Sequence, residues 1–196
     1  MDIDPVELRG PWTEGYALER RHALSSEFVG HDSFGNPQFD TKRSELGELI
    51  FRLKYRNDKT ALDPIADAAV KFINGWGPHF DLVVAVPPSR KRLPYQPVAE
   101  IARIIAGRLS KPVNLDAVSK VKGTPELKNV YEYEQRSELL KRAFRVNGNA
   151  VAGKRILLVD DLYRSGATAK MVTHDLLAAG AAAVYFLAMT KTRTRA

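Results

Sequence analysis

A chain of 196 residues that is 44% hydrophobic and 27% charged has apolar material for the core of one domain or slightly more. No apolar run approaches the roughly 20 residues a membrane-spanning helix needs, and the acidic, polar opening MDIDPVELRG reads against a secretory signal, so a cytoplasmic protein with no membrane partner is expected. The absence of cysteine excludes disulfides and zinc–thiolate sites, and the net charge of +7 points to nucleic acid or to a polyanionic small molecule.

The first forty residues alternate aromatic, polar and turn-forming residues, with a turn signal at Gly35-Asn36-Pro37, and read as short strands or an extended arm. Trp12, Tyr16, Phe28, Phe34 and Phe39 are expected to pack this segment onto a core. From Ser44 the pattern turns helical, with Leu46, Leu49, Ile50 and Leu53 on one face, and Asp63-Pro64 marks the start of a second helix as cap and first residue. "DLVVAVPP" is a continuous apolar run typical of a parallel strand covered on both faces, and "PVAEIARIIAGRL" is an amphipathic helix. "KPVNLDAVSKV" offers short strand material, "RILLVDD" is the next buried strand, "GATAKMVTHDLLAAG" a helix stopping at Gly180, and "AVYFLAMTK" a final strand. Strands alternating with helices imply an α/β fold with a mainly parallel sheet flanked by helices. Residues 1–43 are expected to form a β-rich arm or hood and residues 44–196 the core domain. Ligands of such sheets bind along the edge where the strands end, and that edge carries both 87–92 and 160–168.

Basic residues are scattered in short groups, such as Arg20–Arg21, Lys120–Lys122 and Lys141–Arg142. Dispersed charge of this kind is ordinarily solvated surface, so a nucleic-acid partner stays open but is not favoured. His22, His31, His79 and His174 show no metal-ligand spacing, and none is expected to hold a catalytic metal.

The chemistry concentrates in "RILLVDDLYRSGATAK". Arg164, Ser165, Gly166, Ala167 and Thr168 lie between a strand and a helix, where free amides and the positive end of the helix dipole can cradle a phosphate. Neither the Walker A pattern nor the dinucleotide G-x-G-x-x-G occurs there. Asp160 and Asp161 repel each other and need partners: a ribose diol, a hydrated Mg²⁺, or nearby Lys and Arg. A diol acceptor next to a phosphate cradle describes a site for a sugar 5-phosphate. On motif physics alone, a helix cap and a surface acid beside a tight turn is the competing reading.

"ILLVDDLYRSGAT" closely resembles the phosphoribosyl-pyrophosphate (PRPP) motif of type I phosphoribosyltransferases. "LIFRLKYRND", "DLVVAVPPSRKRLPYQPVAEIARIIAGRL" and "EQRSELLKRAFRV" are similar to the corresponding stretches of the ComF-like branch, so the resemblance spans most of residues 46–190. It implies the Rossmann-like fold of that family and transfer of phosphoribose from PRPP, with Mg²⁺ as cofactor, to an unidentified acceptor with release of pyrophosphate. It also implies roles. Asp160 and Asp161 would be the catalytic pair at the ribose hydroxyls and Mg²⁺, and Arg164, Ser165, Gly166, Ala167 and Thr168 would hold the 5-phosphate. Pro88, Ser89 and Arg90 would hold the pyrophosphate, and Lys120, Lys122 and Arg136 would belong to a closing loop. The zinc-binding cysteines often found in ComF-like proteins are absent, and Arg164 stands where many members carry threonine. The family commonly forms dimers, which leaves a homodimer open. The alternative carried beside the enzyme is a catalytically silent PRPP- or nucleotide-binding protein, or one serving DNA uptake in competence.

Overall fold

In chain order the elements are β1 (Val6–Glu7), β2 (Glu14–Glu19), β3 (Ala23–His31), β4 (Pro37–Arg43), α1 (Glu45–Tyr55) and α2 (Leu62–Trp76). They continue with β5 (Leu82–Ala85), α3 (Pro97–Arg108), β6 (Val118–Lys120), β7 (Phe144–Val146), α4 (Gly148–Val151), β8 (Arg155–Tyr163), α5 (Ala167–Ala178) and β9 (Ala183–Lys191). The computed structural model describes residues 1–88, 96–121 and 143–192. The central sheet runs β1-β2-β9-β8-β5, with β2, β9, β8 and β5 parallel and β1 antiparallel at the edge.

The apolar runs form buried strands because both of their faces are covered. The two-residue period of β8 splits its side chains between two cores. Leu157 and Val159 join Leu187 and Met189 of β9 beneath α1, α2 and α3, through residues such as Leu46, Ile50, Ile65, Ile101 and Ile105. Ile156 and Leu158 join Phe186, Trp12 and the α5 residues Val172 and Leu176 on the opposite face. Among the described residues, α1, α2 and α3 thus cover one side of the sheet and α5, with Val151 of α4, the other.

Several local expectations are corrected. β8 does not end at its acids but pairs with β9 as far as Tyr163 opposite Lys191, because β9 continues beside it. Asp63 is not the cap of α2. Asp58 caps the preceding turn, its carboxylate accepting from the Thr60 amide at 3.0 Å, and Asp63 pairs instead with Arg108 of α3 at 2.6 Å. The N-terminal aromatics divide. Trp12 is buried against Phe186, ring centroids 4.6 Å apart, and Tyr16 packs on Phe72 and Trp76. Phe28, Phe34 and Phe39 are instead 55%, 89% and 56% exposed. The reason lies in the topology: β1 and β2 join the central sheet, whereas, among the described residues, β3 and β4 pair only with each other. Asp32 closes that hairpin by accepting from the Phe34 and Asn36 amides at 2.9 and 2.8 Å.

The hairpin rises from the edge where the parallel strands end. The His22 amide donates to the carbonyl of Lys191, the last residue of β9, and the Ser44 amide donates to the His22 carbonyl at 3.3 Å. Ser44 then caps α1, its hydroxyl accepting from Gly47 N–H at 3.1 Å. Gly47 is required by close approach, since a Cβ there would lie 2.2 Å from the His22 carbonyl oxygen. In an open helix Gly→Ala would stabilise by about 1 kcal/mol. Gly47→Ala is expected to do the reverse and lower stability by about 1–3 kcal/mol, the cost of overpacking a site that cannot relax. Urea denaturation tests this, and an alanine variant as stable as the parent refutes it.

Candidate functional site

Residue parity decides where the two acids point. Asp161 shares the face of Leu157 and Val159, toward α1, while Asp160 shares the face of Ile156 and Leu158. On α1, Lys54 follows the buried Leu53 and reaches Asp161, its Nζ 2.8 Å from Asp161 Oδ2. Asp161 is 6% exposed and held at its backbone as well, since Thr190 Oγ1 donates to its carbonyl at 3.3 Å. His22 Nδ1 lies 3.1 Å from the same Thr190 hydroxyl. With the hydroxyl proton committed to the carbonyl, Nδ1–H must be the donor in that contact.

The charges around this pair are uneven. Burial, and then the adjacent Asp161 charge, push the half-buried Asp160 carboxyl up to about 8, although it accepts the Asp161 amide at 2.9 Å. Burial alone would lower the Lys54 ammonium, but the charge and hydrogen bond of Asp161 outweigh it, and the net direction is upward. His22 is held below the usual imidazole range by burial, then by the positive charges of Arg43 and Lys54. Among the described residues, the site at neutral pH is therefore a Lys54–Asp161 ion pair beside an Asp160 with no ion-pair partner.

Six residues after Asp161, α5 begins. Gly166 caps it with a left-handed φ of 73°, and Tyr163 packs so close that a Cβ on Gly166 would fall 2.4 Å from the tyrosine Oη. Tyr163 in turn contacts Trp12 and Phe186 at centroid distances of 6.4 and 6.1 Å, so the loop rests on the core. Arg164, Ser165 and Thr168 are exposed, Gly166 is buried and Ala167 is intermediate. Ser165 Oγ accepts from the Ala167 amide at 3.4 Å. The loop thus offers hydroxyls, a guanidinium and the amides of a 12-residue helix to an anion.

The structure brings Asp160, Asp161, Arg164, Ser165, Gly166, Ala167 and Thr168 together along one continuous stretch. Pro88 lies just past β5, which pairs in parallel with β8 and ends opposite Val159. Ser89 and Arg90 lie outside the described residues, as do Lys122 and Arg136. Lys120 is the last residue of β6, opposite Phe144 of β7. The sequence gives no sign of Thr190 or Tyr163 as part of the site, and His22 figures there only as a histidine without metal-ligand spacing. Lys54 had a signal, since it falls four residues after Ile50 on the apolar stripe of α1, where a lysine needs a carboxylate partner.

Among the described residues, no three His, Cys, Asp or Glu side chains converge as a metal cage. The donor set nonetheless fits Mg²⁺, which keeps several waters and takes one or two carboxylates plus substrate oxygens. No described helix is long and apolar enough to cross a membrane.

No family model and no curated protein matches the chain. Solved structures do. The allosteric regulatory enzyme of purine biosynthesis aligns at 18% identity with a TM-score of 0.52, over 80% of this chain and 33% of its own. Glutamine PRPP amidotransferase from B. subtilis, complexed with ADP and GMP, aligns at 17% identity with a TM-score of 0.54, over 80% of this chain and 34% of its own. The chain thus spans about a third of the length of those two proteins. Adenine phosphoribosyltransferase from Saccharomyces cerevisiae, complexed with an imino-altritol bisphosphate and adenine, aligns at 16% identity with a TM-score of 0.51, over 86% of this chain and 85% of its own. The chain has the α/β fold of the type I phosphoribosyltransferases, a mainly parallel central sheet flanked by helices.

Proposed function

We propose that this protein binds PRPP with Mg²⁺ and transfers its phosphoribosyl group to an acceptor, releasing pyrophosphate, as a cytoplasmic enzyme of nucleotide metabolism in the ComF-like branch. The observation that carries the reading is the succession, on one strand and one turn, of Asp160 and Asp161, the exposed Arg164 and Ser165, and the N-terminus of α5. A ribose 5-phosphate presents a diol and a phosphate that these two adjoining groups can take up.

In this reading the acids receive the ribose hydroxyls, and Arg164, Ser165, Gly166, Ala167 and Thr168 hold the 5-phosphate. The pyrophosphate-binding role falls to Pro88, Ser89 and Arg90, and the role of excluding water to the segment containing Lys120, Lys122 and Arg136. Mg²⁺, held near Asp160 and Asp161, would supply positive charge against the pyrophosphate. Loss of pyrophosphate leaves a cation-like sugar and needs no enzymic nucleophile, so the chain's task is to hold both ends of the donor and stabilise charge. The β3–β4 hairpin, rising from the same edge, is the candidate hood over the acceptor.

Calorimetry with PRPP and Mg²⁺ tests donor binding. Wild type is expected to bind, and Asp160→Asn/Asp161→Asn to lose at least 100-fold in affinity, in line with two charge-assisted contacts (about 1.5–3 kcal/mol each). Absence of binding by wild type, or unchanged binding by the double variant, sinks the reading. Pyrophosphate release is then screened against purine, pyrimidine and amine acceptors. Donor binding with persistent silence in that screen favours the second reading, a PRPP-binding protein without transfer. The net charge of +7 is what favours a DNA-linked version of it, in which affinity for DNA falls steeply with salt.

A further inference from the structure

The Lys54–Asp161 pair divides two carboxylates that the sequence presents as equals. Lys54 reaches the site from α1, a different element from the one carrying the acids, and its Nζ stands 2.8 Å from Asp161 Oδ2. Its side chain is 29% exposed and that of Asp161 9%, so solvent competes little for the contact. Asp161 is fixed at its other end by Thr190 Oγ1 on β9, with His22 behind that hydroxyl. α1 itself is locked to the sheet edge through His22, Ser44 and Gly47. Asp160, facing the other way, accepts from backbone amides, that of Asp161 at 2.9 Å among them, and is the more accessible of the two acids.

We propose that Lys54 is a resident counter-ion of the diol site: it takes Asp161 out of direct cation coordination and leaves Asp160 as the carboxylate that meets a divalent cation or a sugar hydroxyl. Lys54 and Asp161 are then positioning residues, and Asp160 is the contact. The ammonium does permanently, on Asp161, what a second cation would otherwise have to do. The assignment rests on the donor-site reading above and refines it, because it gives the two acids different tasks.

The probe is Mn²⁺ alone, titrated into the full chain without PRPP and followed by the electron paramagnetic resonance signal of the free ion. Wild type is expected to bind weakly. Lys54→Met, which restores one full negative charge about 4–6 Å from the cation, is expected to bind Mn²⁺ about tenfold more tightly. Lys54→Arg should match wild type, and Lys54→Met/Asp161→Asn should lose the gain. A purely structural lysine predicts no tightening, so equal Mn²⁺ affinity in wild type and a folded Lys54→Met overturns the assignment. Should Lys54→Met fail to fold, the ammonium resonance of Lys54 in ¹⁵N-labelled wild type, assigned with Lys54→Arg, decides the matter. A signal that persists unshifted as Mg²⁺ is added supports a resident ion, and one that is lost or moves to the solvent position overturns it. If PRPP is not bound while these metal responses appear, the donor reading falls and the role of Lys54 stands. If PRPP is bound and the metal responses are absent, the reverse holds.

Discussion

Lys54→Met is expected to destabilise the protein by about 3 kcal/mol at pH 7, the low end of what breaking a buried ion pair costs, because the lysine is 29% exposed. The loss comes from what remains: Asp161, 6% exposed, with a carboxylate whose only described cation has gone. In a chain of this size the midpoint of thermal unfolding should fall by about 6–12 °C. Adding Asp161→Asn removes the stranded charge, so the double variant should recover to within about 1 kcal/mol of wild type, a coupling far larger than independent sites show. A single variant within about 0.5 kcal/mol of wild type would mean that the contact behaves like an ordinary surface pair.

The same pair shows why part of this site was legible in the sequence and part was not. The run Ile156 to Val159 announced a strand buried on both faces, and the loop from Arg164 to Thr168 announced a helix N-terminus, since both signals are local. Lys54 and Asp161 are more than a hundred residues apart in sequence, and only the packing of α1 on the Leu157–Val159 face makes them neighbours. The seat of that helix depends on one glycine meeting one carbonyl, at Gly47 and His22, which no periodicity encodes. The N-terminal aromatics failed for a related reason. Composition made Trp12 and Phe34 alike, but Trp12 leads into β2, which pairs with β9 and brings it inward, whereas among the described residues the β3–β4 hairpin has no third strand and leaves Phe34 outside. Strand partners, not propensities, decided which aromatics were buried.

Asp160→Asn should make the ligand-free protein more stable at pH 8 while removing its affinity for PRPP. In the unfolded chain this carboxyl titrates near 4, whereas in the fold burial and then Asp161 raise it to about 8. Above pH 4 the unfolded state has released a proton that the folded state keeps until pH 8, so its contribution to stability is intact below 4 and is lost as pH rises toward 8. Discounted for the solvent that reaches this half-buried group, the loss is about 2–3 kcal/mol. His22 works in the opposite sense. Its folded pKa is depressed, so its contribution is present above about 6.5 and is lost in acid. Between pH 7 and 8 the imidazole is neutral in both states, and the downward slope belongs to Asp160. Urea denaturation at pH 5, 7 and 8 should show that slope in wild type and its absence in Asp160→Asn, and parallel curves would refute the assignment. A divalent cation needs the ionised carboxylate, so its binding at pH 7 is expected to expel a proton, visible in calorimetry as a heat that depends on the buffer. The carboxyl whose ionisation costs the empty protein stability is then the group that draws in the ligand, a trade between stability and function located at one side chain of one strand.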